Sequence, residues 1–135
     1  MLSNSDLYGK LIVAGWGKTE NGYSEAKWND DLSKLDHTYV SNENCTKEWR
    51  SKVRRTLTVP TSQICATGKQ LKSDSCKGDS GGPLMAMNKI SGQMEVIGII
   101  SLGVRICNSK KPTIRTRVGT YLDWIYEFLD HNANN

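Results

Sequence analysis

Asp74-Ser75-Cys76-Lys77-Gly78-Asp79-Ser80-Gly81-Gly82-Pro83-Leu84 is the most informative stretch of this 135-residue sequence. Glycine has no Cβ, so on both sides of Ser80 the backbone can take turns closed to other residues and bring its amide N–H groups close to a bound carbonyl oxygen. Such a loop exposes the Ser80 hydroxyl. Pro83 and the apolar run that follows it, to Met87, read as a strand rather than a helix.

Outward from this loop, short apolar stretches alternate with polar breaks: Lys10 to Gly17, Leu32 to Val40, Leu57 to Ile64, Pro83 to Met87, Met94 to Leu102 and Pro112 to Val118. Several alternate with a period of two, the mark of half-buried strands, and glycine dominates the breaks between them. The chain therefore reads as all-β. Only its last stretch has a helical period, with Leu122, Ile125 and Phe128 or Leu129 on one stripe and Thr120 placed to cap with Asp123 three residues on. A shorter helix is expected after Ser41, running through Cys45 to Trp49, with Ser41 as N-cap and Glu43 in the first turn.

Composition narrows the partners. A net charge of +4, with basic residues interleaved among Glu and Asp, does not make a phosphate-binding face, so no nucleic acid partner is expected. The basic run Lys47, Arg50, Lys52, Arg54, Arg55 reads as a solvated face. The longest nearly apolar run, Val96 to Val104, is far short of the roughly 20 residues that span a bilayer, and no membrane contact is expected. The four cysteines form no CxxC or CxxxC pair beside a histidine, so neither zinc nor any other metal or cofactor is expected. Their even count and wide spacing favour structural disulfides made in an oxidising compartment, with three pairings open. Met1 to Lys10 does not read as a secretory signal, which suggests a piece of something longer, from a truncated gene product or a misplaced start. Asn44-Cys45-Thr46 fits the acceptor pattern for N-linked glycosylation, although a half-cystine in its middle weighs against use.

Gly-Asp-Ser-Gly-Gly-Pro, residues 78–83, resembles the nucleophile loop of the trypsin-like serine proteases, and the resemblance extends over nearly the whole chain. Ala14-Gly15-Trp16-Gly17-Lys18-Thr19 resembles the segment opening that family's second barrel, and Leu32 to Cys45 the strand and short helix after it. Ser101-Leu102-Gly103 resembles the substrate-pairing strand, Pro112 to Val118 the Pro-Gly-Val-Tyr-Thr-Arg-Val segment, and Tyr121 to Ile125 the closing helix. Lys18-Thr19-Glu20, Lys77 and Leu84-Met85 lean toward the arthropod clip-domain branch. Gly78 to Gly82 also fits the nucleophile elbow of α/β-hydrolases, but that elbow runs from strand into helix.

The resemblance implies a fold and a set of roles. Residues 1–135 would be the second six-stranded antiparallel barrel of a two-barrel peptidase domain with its C-terminal helix, the first barrel being absent. Ser80 would be the nucleophile of a secreted endopeptidase, with the N–H groups of Gly78 and Ser80 as the oxyanion hole. Asp79 would receive the α-ammonium of a freshly cut N-terminus, and without it would turn toward water or a nearby donor. Asp74 would lie at the base of the S1 pocket, while Ser101 and Gly103 would pair with the substrate backbone. Cys45 would pair with Cys65 and Cys76 with Cys107, each link contributing about 3 kcal/mol. A further family disulfide would be lost at Leu11 and Ala86 together.

The same comparison exposes departures. A serine hydroxyl needs a base, and the only histidines are His37, at a strand position, and His131, in the tail. Neither lies in an Ala-Ala-His-Cys context, and Asp6 is too close to Gly15 to be the triad aspartate. The chain alone is therefore expected to be inactive. Thr113 stands where the family has a pocket-wall glycine and Arg115 where it has a tyrosine, so Thr113 would narrow the pocket and Arg115 would reach toward Asp74. Leu102 replaces an aromatic at the pocket lip. The partner is expected to be a polypeptide substrate, a protein inhibitor or the missing barrel. The alternative is a non-catalytic homologue that at most binds. Trp16 reads as a core residue, Trp124 as part of the helix face and His37 as a strand side chain.

Overall fold

The computed structural model describes residues 8–17, 31–52, 56–68, 79–102 and 111–133. In chain order they form β1 (Tyr8–Gly15), β2 (Ser33–Val40), α1 (Asn42–Lys52), β3 (Gln63–Gly68), β4 (Pro83–Asn88), β5 (Met94–Leu102), β6 (Thr113–Arg117), one 3-10 turn (Val118–Tyr121) and α2 (Leu122–Ala133). The strands close in the order β1-β2-β3-β6-β5-β4, every pair antiparallel. The expected six-stranded barrel with a C-terminal helix is thus observed, and closure leaves no strand edge unpaired.

Period-two alternation explains the interior. Leu11, Val13, Ile64, Ala66, Leu84, Ala86, Ile97 and Ile100 come from four strands, β1, β3, β4 and β5, and form one apolar core. A smaller core lies outside the barrel wall, where Cys45 and Trp49 of α1 meet Val59, Cys65 and Ile114. Residues 64 to 66 therefore bury both faces of β3, Ile64 and Ala66 inside the barrel and Cys65 beneath the helix.

Local sequence sets α1. The Ser41 Oγ accepts the Asn44 N–H at 3.2 Å, as an N-cap should, and Glu43 pairs with Lys47 one turn on at 2.7 Å. Cys45 and Trp49, four residues apart, face the barrel. The Cys45–Cys65 disulfide ties helix to β3, and the Trp49 indole N–H donates to the Pro112 carbonyl at 2.9 Å. Asn42 adds two donations from Nδ2, to the carbonyls of Pro60 and Gln63.

Four expectations change. The strand expected over Leu57 to Ile64 begins only at Gln63. Pro60 has no N–H for a ladder, and its carbonyl instead accepts the Gln63 N–H in a turn, so Leu57 and Val59 pack against α1. Thr120 does not cap α2, because it lies inside the 3-10 turn that leads into the helix. The apolar stripe of α2 forms but is not covered by the described residues: Leu122, Trp124, Phe128 and Leu129 are exposed, with Trp124 and Phe128 stacked on each other. Trp16 is not a core residue but 56% exposed, just past the end of β1. Leu11 and Ala86 face each other across β1 and β4, both buried, at the positions where the resemblance implies a lost disulfide.

Candidate active site

Ser80 sits in the turn that feeds β4. The Gly82 N–H donates to the Asp79 carbonyl at 2.9 Å, closing the turn around Ser80, and Gly81 holds a φ of +83°, a conformation that favours glycine. The turn is pinned to the barrel from both sides. The Gly81 N–H donates to the Ile100 carbonyl, and the Ile100 N–H donates to the Gly82 carbonyl, each at 2.9 Å. Ser80 itself is exposed, and its hydroxyl has no hydrogen-bond partner among the described residues.

Asp79 points the other way, into the protein, and is only 8% exposed. Its Oδ1 accepts the Gly17 N–H at 2.9 Å. Gly15 and Gly17 are glycines for a reason visible here, because a Cβ on either would fall on the Asp79 carboxylate. The carboxylate thus meets a donor in the segment that follows β1. The two glycine-rich stretches, separate in sequence, form one structure: residues 15–17 cradle the carboxylate, and the carboxylate anchors the turn that presents Ser80.

Ser101 lies at a bulge in β5. Ile100 pairs with Arg115 and Leu102 with Ile114, which leaves Ser101 as the extra residue, and it is exposed. Bulges re-aim a side chain and interrupt pairing, and they recur beside active sites. Thr113 is buried, and its Oγ1 donates to the Ala66 carbonyl at 3.1 Å. Arg115 is fully buried; its Nη1 donates to the carbonyls of Ala66 at 3.1 Å and Thr113 at 3.2 Å. Asp74, Gly78, Gly103, Cys76 and Cys107 lie outside the described residues, and with them the contact expected between Arg115 and Asp74.

His37 is a strand side chain, as expected, but its surroundings are not ordinary. It is 1% exposed; Nδ1 lies 3.4 Å from the Leu35 carbonyl, and Nε2 has no hydrogen-bond partner among the described residues. Burial, reinforced by the positive charge of Arg115, lowers its pKa to about 4, so it stays neutral at pH 7. It is a histidine of the barrel interior and makes no hydrogen bond to Ser80. His131 is carried by α2. Among the described residues no three His, Cys, Asp or Glu side chains cluster as a metal site would require, and no helix is long and apolar enough to cross a membrane.

A closed antiparallel barrel with a C-terminal helix, an exposed serine on a glycine turn and a buried aspartate just before it define the barrel of a trypsin-like protein. The chain matches the Trypsin family over residues 4–125 and belongs to that family, in its arthropod clip-domain branch. It is 35% identical over 122 residues to the clotting factor G beta subunit of Tachypleus tridentatus, covering 87% of this chain and 38% of the relative. It is 42% identical over 117 residues to phenoloxidase-activating factor 1 of Holotrichia diomphalia (86% and 29%). To the CLIP domain-containing serine protease HP8 of Bombyx mori it is 40% identical over 121 residues (89% and 31%). The chain spans about a third of the length of these relatives.

Proposed function

We propose that these residues are the nucleophile-bearing half of a secreted serine endopeptidase of trypsin-like type. The observation that carries this reading is the coupled turn: Ser80 exposed, Gly81 at positive φ, and Asp79 buried against the Gly17 amide. In this reading Ser80 Oγ attacks the scissile carbonyl and the N–H groups of Gly78 and Ser80 hold the oxyanion. Ser101 and Gly103 pair with the substrate backbone, Asp74 stands at the base of the S1 pocket, and Asp79 takes the activating α-ammonium. The base and its aspartate belong to a first barrel outside these 135 residues. The uncovered apolar side chains of α2, with Val96 and Ile99 of β5, supply a surface of the kind that such a barrel would cover. The Cys45–Cys65 disulfide supports an oxidising compartment, and the second pair, Cys76–Cys107, belongs to the same reading.

The test is a fluorophosphonate probe. This chain alone should leave Ser80 unlabelled, because no base withdraws its proton. The same chain joined to the first barrel of a close relative should be labelled, and Ser80→Ala should abolish that labelling. Stoichiometric labelling of the chain alone, or none of the joined protein, would refute the reading.

A second reading, a homologue that binds without cutting, is favoured by Thr113 and Arg115, a buried branched hydroxyl side chain and a buried cation at positions where the family resemblance implies the pocket wall. If they obstruct a basic P1 side chain, Thr113→Gly with Arg115→Tyr in the joined protein should speed cleavage of Arg substrates by about tenfold, the equivalent of ~1.4 kcal/mol of transition-state binding. No gain in a protein whose Ser80 is labelled would clear these two residues of that role.

A further inference from the structure

The Asn44-Cys45-Thr46 triplet lies in the first turns of α1, and its three side chains face different surroundings. Asn44 is exposed, and its carboxamide makes no hydrogen bond among the described residues. Cys45 is buried in the disulfide. Thr46 is half-buried, with Oγ1 accepting the Val59 N–H at 3.1 Å. We propose that Asn44 carries an N-linked glycan, added before α1 folds. This rests on the reading above that the protein is secreted.

The objection from sequence is the half-cystine between acceptor and hydroxyl. The structure removes it, because Cys45 pairs with a cysteine 20 residues further along the chain. At about 5–20 residues per second, Cys65 is synthesised roughly 1–4 s after Cys45, and until then that disulfide cannot form. During this interval the triplet is extended, with its threonine hydroxyl free to assist the asparagine. Afterwards it is closed: helix, disulfide and the Thr46–Val59 hydrogen bond hold it in a shape that no longer presents the hydroxyl beside the carboxamide.

The donor is a lipid-diphosphate-linked oligosaccharide. The bond between its anomeric carbon and the diphosphate oxygen breaks, and the lipid diphosphate leaves with the electron pair. A bond forms from that carbon to Asn44 Nδ2, which gives up one proton to the solvent, so the products are the N-glycoside, the lipid diphosphate and that proton. The product fits the fold. Asn44 shares the outer face of α1 with the exposed Lys47, Glu48 and Ser51, while the helix meets the barrel through Cys45 and Trp49. A glycan there projects into solvent and displaces no core contact.

The test is the full 135-residue chain expressed in mammalian cells behind a cleavable secretory leader, which forces entry whatever the natural route. The expected result is a gel shift of one oligosaccharide, removed by peptide-N-glycanase with conversion of Asn44 to Asp, and absent in Asn44→Gln and Thr46→Ala. An unshifted parent chain overturns the proposal. If it is unshifted while Cys65→Ser is shifted, disulfide formation outruns transfer and the proposal fails for that reason. The secretion reading fails separately, if the native protein is found in the cytosol of its own cells while the leader-directed chain is still glycosylated.

Discussion

Gly17→Ala should destabilise the refolded, oxidised chain by about 3 kcal/mol, at the upper end of what overpacking a well-filled site costs. The added methyl falls on the Asp79 carboxylate, which is buried and receives the Gly17 N–H. Relief requires the carboxylate to swing away, and that leaves both a buried charge and an amide short of their partners. The measurement is a urea transition. With a slope near 1.5 kcal/mol/M the midpoint should fall by roughly 2 M at unchanged slope. Asp79→Ala supplies the internal control, because it empties the space that the new methyl needs. The double variant should be more stable than the sum of the single losses by about 1 kcal/mol or more. Strict additivity would mean that the carboxylate does not lie against residue 17.

Acid should weaken the barrel from within. His37 titrates near 4 in the folded chain against an ordinary value of 6.5, so between those pH values the unfolded chain binds more protons than the folded one. The stability this histidine confers is fully present above pH 6.5 and is lost as the pH falls toward 4. The loss at pH 4 comes to about 3 kcal/mol. Its causes are burial, first, and the neighbouring Arg115, second; Asp36 and the Leu35 carbonyl act in the opposite direction without overcoming them. Carboxylates elsewhere add their own acid dependence, so the informative quantity is the difference from His37→Leu. That variant should lose less stability than the parent between pH 6.5 and 4. Parallel curves for the two proteins would show that His37 is not the titrating group.

Much of this architecture is legible in the chain. Period-two alternation locates five of the six strands to within a few residues, and Ser41 marks the start of α1. The nucleophile loop is read directly, because Gly-Asp-Ser-Gly-Gly-Pro is a local solution to a local problem: a tight turn followed by a strand. The strand at Gln63–Gly68 is misplaced by sequence reasoning because Leu57 and Val59 look like strand residues, and only Pro60 between them signals otherwise. A buried His37 was within reach, since it shares the inward face of β2 with Leu35 and Tyr39 in simple alternation. The influence of the Arg115 charge on it was not, because the two lie 78 positions apart and on strands that do not pair with each other.

The amino-acid sequence by itself therefore determines the all-β class, the turn at Ser80 and the cap of α1, all of them properties of residues near one another along the chain. Tertiary structure alone decides that Gly15 and Gly17 exist for the sake of Asp79, 62 residues beyond Gly17, and that the barrel interior holds a neutral histidine near a charged arginine. It also decides that the apolar stripe of α2 and the indole of Trp16 stay exposed among the described residues. The physical reason is the same in each case. Backbone conformation answers to neighbours in sequence, whereas burial, hydrogen-bond partnership and charge state answer to whatever the closed barrel brings within a few ångströms.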